Sequence, residues 1–564
     1  MGEPKEIPLM EKIVSLCKRR GFIYQSSEIY GGINGFWDYG PLGAELKRNV
    51  KELWWTTMTR ERDDVVGLEA TIIMSPAIWK ASGHVDTFSD PMIDCKTCKG
   101  RFRADQTNEI PCPQKPSKMV SECHGEKTPP RAFNLMFQTY VGPVQDASAI
   151  AYLRPETAQA IFAQFKNVLE TSRQKVPFGI AQIGKAFRNE VTPRNYTFRS
   201  REFEQMELEF FIKPDEAVEA IAGRVASPDE VFGVPPSGGP EPAKAGTPNS
   251  QLSTLNPQPS WGWEAWHKYW VEQRIAFYEG IGLPRNTLVE YWQKPEELAH
   301  YARATVDILY KFPFSKRDEK GELMGEELEG IAARSDFDLS QHARFSGRPM
   351  GVFDEELRAG WSKLPKEKQD ELWRRYYENR KKYLTKTGVE TEAASKQATE
   401  DADGLAKGQY IPHVIEPSAG VDRLILALIC NAYHEDQMPD EKGKMETRVV
   451  LKFHPRVAPI KVAVLPLLKN KPALVEKATA VRDLLRPHMN VFYDDAGAIG
   501  RRYRRQDEAG TPFCVTVDFE TLEGIEEGAS AGQKDTVTVR YRDDGQQDRL
   551  AVSELLNWLL PKIR

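Results

Sequence analysis

The chain has 564 residues, 40% of them hydrophobic, and a formal net charge of -5. That length predicts three or four domains, and the small net acidity excludes coating nucleic acid through bulk charge while leaving room for local basic surfaces. No run of about 18 apolar residues offers a membrane span, and the opening Met1-Gly2-Glu3-Pro4-Lys5-Glu6 lacks both an apolar signal region and the Ser or Thr of a myristoylation signal, so a cytoplasmic protein with no membrane association is expected.

Residues 11–20 and 43–60 read as helices, the second ending in Glu52-Leu53-Trp54-Trp55. The stretch beyond it, through the β-like Ala70-Thr71-Ile72-Ile73-Met74, suits either a subunit interface or ordinary core packing. Seven cysteines are too few for a disulfide scaffold in so long a chain. Four of them crowd together: Cys95-Lys96-Thr97-Cys98 is a C-x-x-C knuckle, followed by Cys112 and Cys123. Four thiolates could build a structural Zn²⁺ site. The second half lacks a clean C-x-x-C pair, so free thiols fit the spacing as well.

From Pro177 to Phe211 the pattern is two strands around a polar loop. At period two, one face of the first strand carries Ile180, Gln182, Gly184, Ala186, Arg188 and Glu190. In the second, Met206, Leu208 and Phe210 point one way, while Phe203, Gln205, Glu207 and Glu209 point the other. An aromatic ring among carboxylates makes a poor core and a good floor for a cationic, aromatic ligand. The loop between the strands carries Arg194 and Arg199, which suit a polyphosphate. A cross-strand ladder of ion pairs is the alternative, but it would leave Phe198 and Phe203 exposed without purpose.

The composition shifts from Ala222 to about Trp261, where Pro, Gly, Ser and Thr dominate, as in a flexible insertion. Helical patterning resumes at Glu264 and runs with breaks to Tyr310; residues 365–383 form a charged, exposed helix. The run Gly420-Val421-Asp422-Arg423 sets a guanidinium at the mouth of a strand–turn–helix. Together with Arg188 it can grip a nucleotide from both sides, which points to adenylate chemistry. Beyond His454-Pro455-Arg456, strands and helices alternate in an α/β module of about 100 residues. The expected division is 1–222, an insertion 223–262, 263–455 and 456–564.

Phe187-Arg188-Asn189-Glu190 with Arg201-Glu202-Phe203 resembles motif 2 of class II aminoacyl-tRNA synthetases, and Gly420-Val421-Asp422-Arg423 resembles motif 3. With Tyr152-Leu153-Arg154-Pro155-Glu156-Thr157-Ala158-Gln159, Glu202 to Glu209, and Val414-Ile415-Glu416-Pro417-Ser418, the chain resembles the homodimeric glycyl-tRNA synthetase family over most of its length. The resemblance implies an α+β fold: an antiparallel sheet flanked by helices, with a C-terminal α/β anticodon-binding domain. It implies ATP with Mg²⁺, glycine and tRNA(Gly) as partners, and a homodimer with 43–76 at its interface.

Carried over residue by residue, Arg188 and Arg423 would be the catalytic pair. Arg188 would hold the α-phosphate, Glu190 the adenine amino group, and Phe203 and Arg423 the two faces of adenine. Asn189, Phe198, Arg199, Ser200, Arg201, Glu202, Glu327, Leu328, Gly420, Val421 and Asp422 complete the implied ATP site. Glu156, Glu207 and Glu416 would surround the ammonium of glycine, with Ser418 beside its α-carbon. Arg103 and Arg334 are candidates for the substrate end. Phe203, Glu204, Gln205, Met206, Pro417, Ala419 and Gly420 belong to the same stretches, and Glu416 is a candidate for Mg²⁺. No general base is needed, because the attacking carboxylate is already ionised; a fixed guanidinium and Mg²⁺ stabilise the charge gathering at phosphorus. Glycine has no side chain to grip, so selection must come from excluding larger ones. Ala160 stands where the family usually has glycine. Arg501, Arg502, Arg504 and Arg505 around Tyr503 offer either a surface for unstacked RNA or one solvated helix turn.

Overall fold

The computed structural model describes residues 7–232, 257–299, 301–439, 445–525 and 532–564. Its centre is a seven-stranded sheet of β1 (Val65–Gly67), β2 (Phe178–Phe187), β3 (Glu202–Ile212), β4 (Leu288–Trp292), β5 (Ala304–Tyr310), β6 (Glu326–Ser335) and β7 (His413–Gly420). The order is β4-β5-β6-β7-β3-β2-β1, antiparallel except where β1 joins β2 in parallel. Side chains alternate across this sheet. Leu208, Phe210, Ile331, Ala333, Ile415 and Ala419 enter the main core on its back. The front carries Gln182, Gln205, Glu207, Glu209 and Glu416, all of them buried.

Nine helices of this region matter for the site: α1 (Leu9–Arg20), α2 (Pro41–Trp55), α3 (Ala158–Ser172), α4 (Trp263–Gly280), α5 (Phe337–Ser346), α6 (Glu355–Lys363), α7 (Lys366–Lys386), α8 (Thr391–Ala406) and α9 (Val421–Ala432). Helices α2, α4 and α9 supply residues to the main core. Pro41 opens α2 at its first position, where no backbone donor is needed. Gly43 lets α2 approach the Phe22 carbonyl, which a Cβ there would strike. Helix α3 packs Phe162 and Phe165 against Phe211, beside residues of α6, α7 and α8. The charged helix expected at 365–383 is α7, with Leu372, Tyr376, Arg380 and Leu384 turned inward.

Two expectations change. The helical pattern expected as far as Tyr310 ends with α4 at Gly280, and the chain returns as β4 and β5. Leu288-Val289-Glu290-Tyr291-Trp292 and Ala304 to Tyr310 are rich in β-branched and aromatic residues, which favour a pleated surface. Of the interface and core-packing readings left open for the end of α2, Trp54 takes the second and is buried in the core, and Trp55 lies against Gly67. The insertion also has folded ends: Ala226 bridges to Trp261, both buried, and Phe232 packs on Trp261. The rest of that reading, at 233–256, falls outside the described residues.

The hairpin β8 (Tyr433–Pro439) and β9 (Met445–Leu451) leads to the C-terminal module. There β10 (Val462–Pro466), β11 (Val491–Tyr493), β12 (Phe513–Val517), β13 (Thr536–Tyr541) and β14 (Gln547–Ala551) form a sheet in the order β11-β10-β12-β13-β14. Strand β14 was missed by the sequence pattern. Helices α10 (Pro472–Leu485), α11 (Ile499–Ala509) and α12 (Val552–Ile563) accompany it. Among the described residues no helix is long and apolar enough to cross a membrane.

Behind the sheet, Arg274 of α4 donates to Glu329 at 2.7 Å, and the Tyr278 hydroxyl donates to the same carboxylate. All three are buried. Arg274→Met is expected to destabilise the central unit by about 3–5 kcal/mol, because it strands a buried carboxylate. Denaturant midpoints check this, and Arg274→Met with Glu329→Leu should recover most of the loss.

Candidate active site

A cleft of about 150 Å³ lies on the front of the sheet. Arg188, at the end of β2, and Arg423, in the first turn of α9, both line it. The Arg188 guanidinium lies 5.3 Å from the Phe203 ring, and its Nε donates to the Pro155 carbonyl at 3.0 Å. Arg423 covers a different ring, Phe198, at 4.6 Å, while its Nη1 reaches the Glu327 carboxylate at 3.1 Å. Each arginine therefore rests on its own aromatic face. Arg199 Nη1, Thr197 Oγ1 and Gln205 Oε1 are buried, border the cleft and have no hydrogen-bond partner. Buried polar atoms are seldom left this way unless a ligand or water completes them.

Glu190, Phe198, Arg199, Ser200, Phe203, Glu327, Leu328, Gly420 and Asp422 also border the cleft, as the resemblance implied. Four members of the implied set do not. Glu202 pairs with Lys185 on the opposite face. Val421 is buried in the core. Arg201 braces the loop by donating to the carbonyls of Glu190 and Asn34, and Asn189 donates its backbone N–H to Leu135. Glu327 owes its position to a bulge: Ile308 pairs with Glu329 and Leu309 with Glu327, leaving Leu328 unpaired. The bulge turns Glu327 to the cleft while Glu329 faces α4.

Gln205 and Ser418 border the cleft too, and both donate to Glu207 Oε1, at 2.8 and 2.9 Å. The buried Thr157 hydroxyl holds the other oxygen of Glu207. Beside it, Glu416 accepts from Arg334 Nη1 at 2.8 and 2.7 Å. Asp338 of α5 takes the remaining side of that guanidinium at 2.8 and 3.0 Å. Glu156 sits 3.2 Å from the His84 imidazole and accepts from Gln159 at 3.0 Å. Glu209 is fully buried with neither oxygen partnered.

The acids outnumber the one guanidinium, and their proton affinities record it. Burial, with Glu156 nearby, raises the Glu207 carboxyl. Burial lifts Glu416 to about 7 against the pull of Arg334, with Glu207 adding to the rise. Burial and Glu416 push Glu209 well above the usual carboxylate range. At Glu156 burial is overcome by His84 and Arg334, and the carboxyl is held well below that range. A cluster of this kind is suited to receive a cation.

Other sequence candidates lie elsewhere. Glu204 points behind the sheet to Lys47 and Lys51, Met206 and Ala419 are in the core, and Pro417 is buried in register with Ile331. All four follow from strand alternation. Arg103 belongs to the cysteine lobe and is held by Asp90 at 2.9 Å and Asp105 at 2.7 Å. Ala160 lines a separate cavity with Met74, Ile78 and Gln164. Sequence reasoning missed Thr157, Gln159, Asp338, His84 and Tyr301, whose ring lies 4.0 Å from the Arg334 guanidinium. Thr157 and Gln159 stood within a recognised segment, yet their partners come from distant strands and helices, which no local pattern reveals.

The Cys95, Cys98 and Cys123 sulfurs lie within 4.8 Å of one another, and Cys112 is within hydrogen-bonding reach of Cys98 and Cys123. On α11 the arginine run is not an open surface. Arg502 is buried against the carbonyls of Gly497 and Pro466, Arg504 pairs with Glu446, Arg505 with Asp494, and Tyr503 bonds Thr516. Only Arg501 of the four is exposed.

Residues 143–235 match the family described as tRNA synthetase class II core domain (G, H, P, S and T), and residues 461–562 match the anticodon binding domain. The glycine–tRNA ligase of Thermobifida fusca is 43% identical over 570 residues, covering 98% of each chain. That of Treponema denticola is 42% identical, covering 98% of this chain and 97% of its own. That of Thermus thermophilus is 41% identical, covering 98% and 99%. Likeness of this extent, with motif residues gathered on one sheet face, has one meaning: the chain belongs to the glycine–tRNA ligase family of class II aminoacyl-tRNA synthetases.

Proposed function

We propose that the front of the sheet activates glycine with ATP and passes the glycyl group to the 3′ end of tRNA(Gly), with Arg188 and Arg423 as its catalytic pair. The observation that supports the residue assignment is the convergence of unpartnered buried atoms on a cleft two of whose lining residues, Gln205 and Ser418, donate to Glu207. In this reading the purine enters between the two guanidinium-covered rings, and Arg188 meets the α-phosphate. The glycine carboxylate attacks phosphorus and pyrophosphate leaves. The ribose hydroxyl of the tRNA then attacks the glycyl carbonyl, its proton passes to the departing phosphate, and AMP leaves. In the first step fixed guanidinium groups stabilise the charge that develops at phosphorus, without proton transfer.

Mg²⁺ bound with the nucleotide supplies neutralisation of the phosphate charge. Glu327 fits it, being exposed to the cleft, whereas Glu416 is buried and held on Arg334. Arg334 is read as positioning Glu416 rather than touching substrate. The ammonium lies among Glu156, Glu207 and Glu416. Thr157, Gln205 and Ser418 lock Glu207, so a larger substrate meets a wall that does not yield cheaply.

Arg188→Ala is expected to lower glycine-dependent ATP–pyrophosphate exchange by at least about 10²–10³-fold with an unchanged circular dichroism spectrum. Near-normal exchange would remove Arg188 from the chemistry.

Protonating Glu416 removes a negative charge from the ammonium site. Because its carboxyl titrates at about 7, the KM for glycine should rise as pH falls below that value, by up to about tenfold per unit for a single group. Exchange kinetics between pH 6 and 8 test this; a flat KM would exclude Glu416 from ammonium binding.

We further propose a structural Zn²⁺ at Cys95, Cys98, Cys112 and Cys123, since the thiol spacing suits a tetrahedral set. About one zinc per chain is expected, falling on Cys98→Ser; less than half an equivalent in the unaltered protein counts against it. A homodimer through the 43–76 region is proposed as well, supported by the exposed Ile73 and the outer edge of β1.

A further inference from the structure

We propose that the cavity between α7 and the C-terminal end of β6 is a phosphate-binding site, separate from the nucleotide cleft. It encloses about 290 Å³ and shares no lining residue with that cleft. Tyr301, which covers Arg334, forms part of its wall.

Among the described residues, two buried groups in the wall have no partner. His413 is 5% exposed and its Nδ1 makes no hydrogen bond; the same holds for the Tyr383 hydroxyl. Such atoms cost free energy until something meets them. The rim adds surplus positive charge. Lys382 and Lys386 are exposed and form no ion pair among the described residues, where the one side-chain bond of Arg303 runs from Nε to Ser335 Oγ at 2.8 Å. The two acids in the wall are already neutralised. Asp336 is held by Arg380 and by Ser340 at 2.8 Å; Glu216 by Arg375 at 3.3 Å and Asn379 at 3.1 Å.

The unmet capacity is thus cationic and polar, and it converges from three directions: α7, β7 and the start of β5. A tetrahedral phosphate anion with several acceptor oxygens satisfies that set. Burial, with Arg303 and Arg380 close by, keeps His413 uncharged, so it can meet the anion as an N–H donor. The phosphate can be a backbone phosphate of the bound tRNA or a small free phosphate.

The test is calorimetric titration of the full chain with inorganic phosphate at low salt, beside tRNA charging kinetics. Lys382→Glu with Lys386→Glu alters only exposed positions. His413→Phe replaces the imidazole with an apolar ring of similar size that has no donor, and Arg188→Ala serves as the control for the nucleotide cleft. The double lysine variant and His413→Phe should each weaken phosphate binding at least about tenfold, while Arg188→Ala leaves it unchanged. If the KM for tRNA also rises about tenfold, exchange stays normal and the salt slope falls by about one per lost contact, the phosphate belongs to tRNA. An unchanged KM for tRNA with lost inorganic phosphate identifies a free ligand. Phosphate binding that is undetectable or unaltered by the lysine reversals, together with unaltered charging, overturns the site; so does its loss in Arg188→Ala.

Discussion

One guanidinium governs the acidic cluster on the front of the sheet. Arg334 leaves β6, takes Glu416 from β7 and Asp338 from α5, and is capped by Tyr301. Around it lie acids buried on the face of a sheet, where desolvation favours their neutral forms. A buried charge needs a partner and full hydrogen bonding to be tolerated. Arg334 meets that need for part of the cluster and leaves the rest electron-rich. Three elements are fixed by that single group, and the acids it leaves unpaired lie where the ammonium is proposed to bind.

A second anchor runs from the edge of the cleft to the back of the sheet. Asp422 accepts from Tyr39 at 2.6 Å, from Lys47 at 2.8 Å and from the Glu204 backbone at 2.7 Å. It joins α2, β3 and the start of α9, and the next residue is Arg423. The orientation of a guanidinium in the cleft is set by contacts that reach through to the other face. Adjacent motif residues thus divide their work, Arg423 reaching into the cleft and Asp422 tying the scaffold together.

Strand alternation made much of this legible. Reading β2 and β3 at period two put Arg188, Glu190, Phe203, Gln205 and Glu207 on one face, and the polar front and apolar back followed. The C-terminal module was legible for the same reason, β14 excepted. What stayed hidden depended on distant partners. The bulge at Leu328 separates Glu327 from Glu329 although both stand in one acidic run. The arginines of α11 look free until Asp494, Glu446 and two carbonyls are placed around them. Trp54 looks like an interface until the core closes over it. Charge and aromaticity state what a side chain can do, while long-range packing decides whether anything already occupies it.

The bridge between Ala226 and Trp261 carries a consequence for how such a chain varies. Exit and re-entry share one doorway, clasped by the aromatic cluster of Trp261, Trp266 and Phe232. Whatever lies between contributes a ring whose closure entropy grows only with the logarithm of its length, about 0.6 kcal/mol per doubling. Lineages are therefore free to lengthen, shorten or recompose that span while α4 and β3 keep their places, and the chemistry on the far face is insulated from the change.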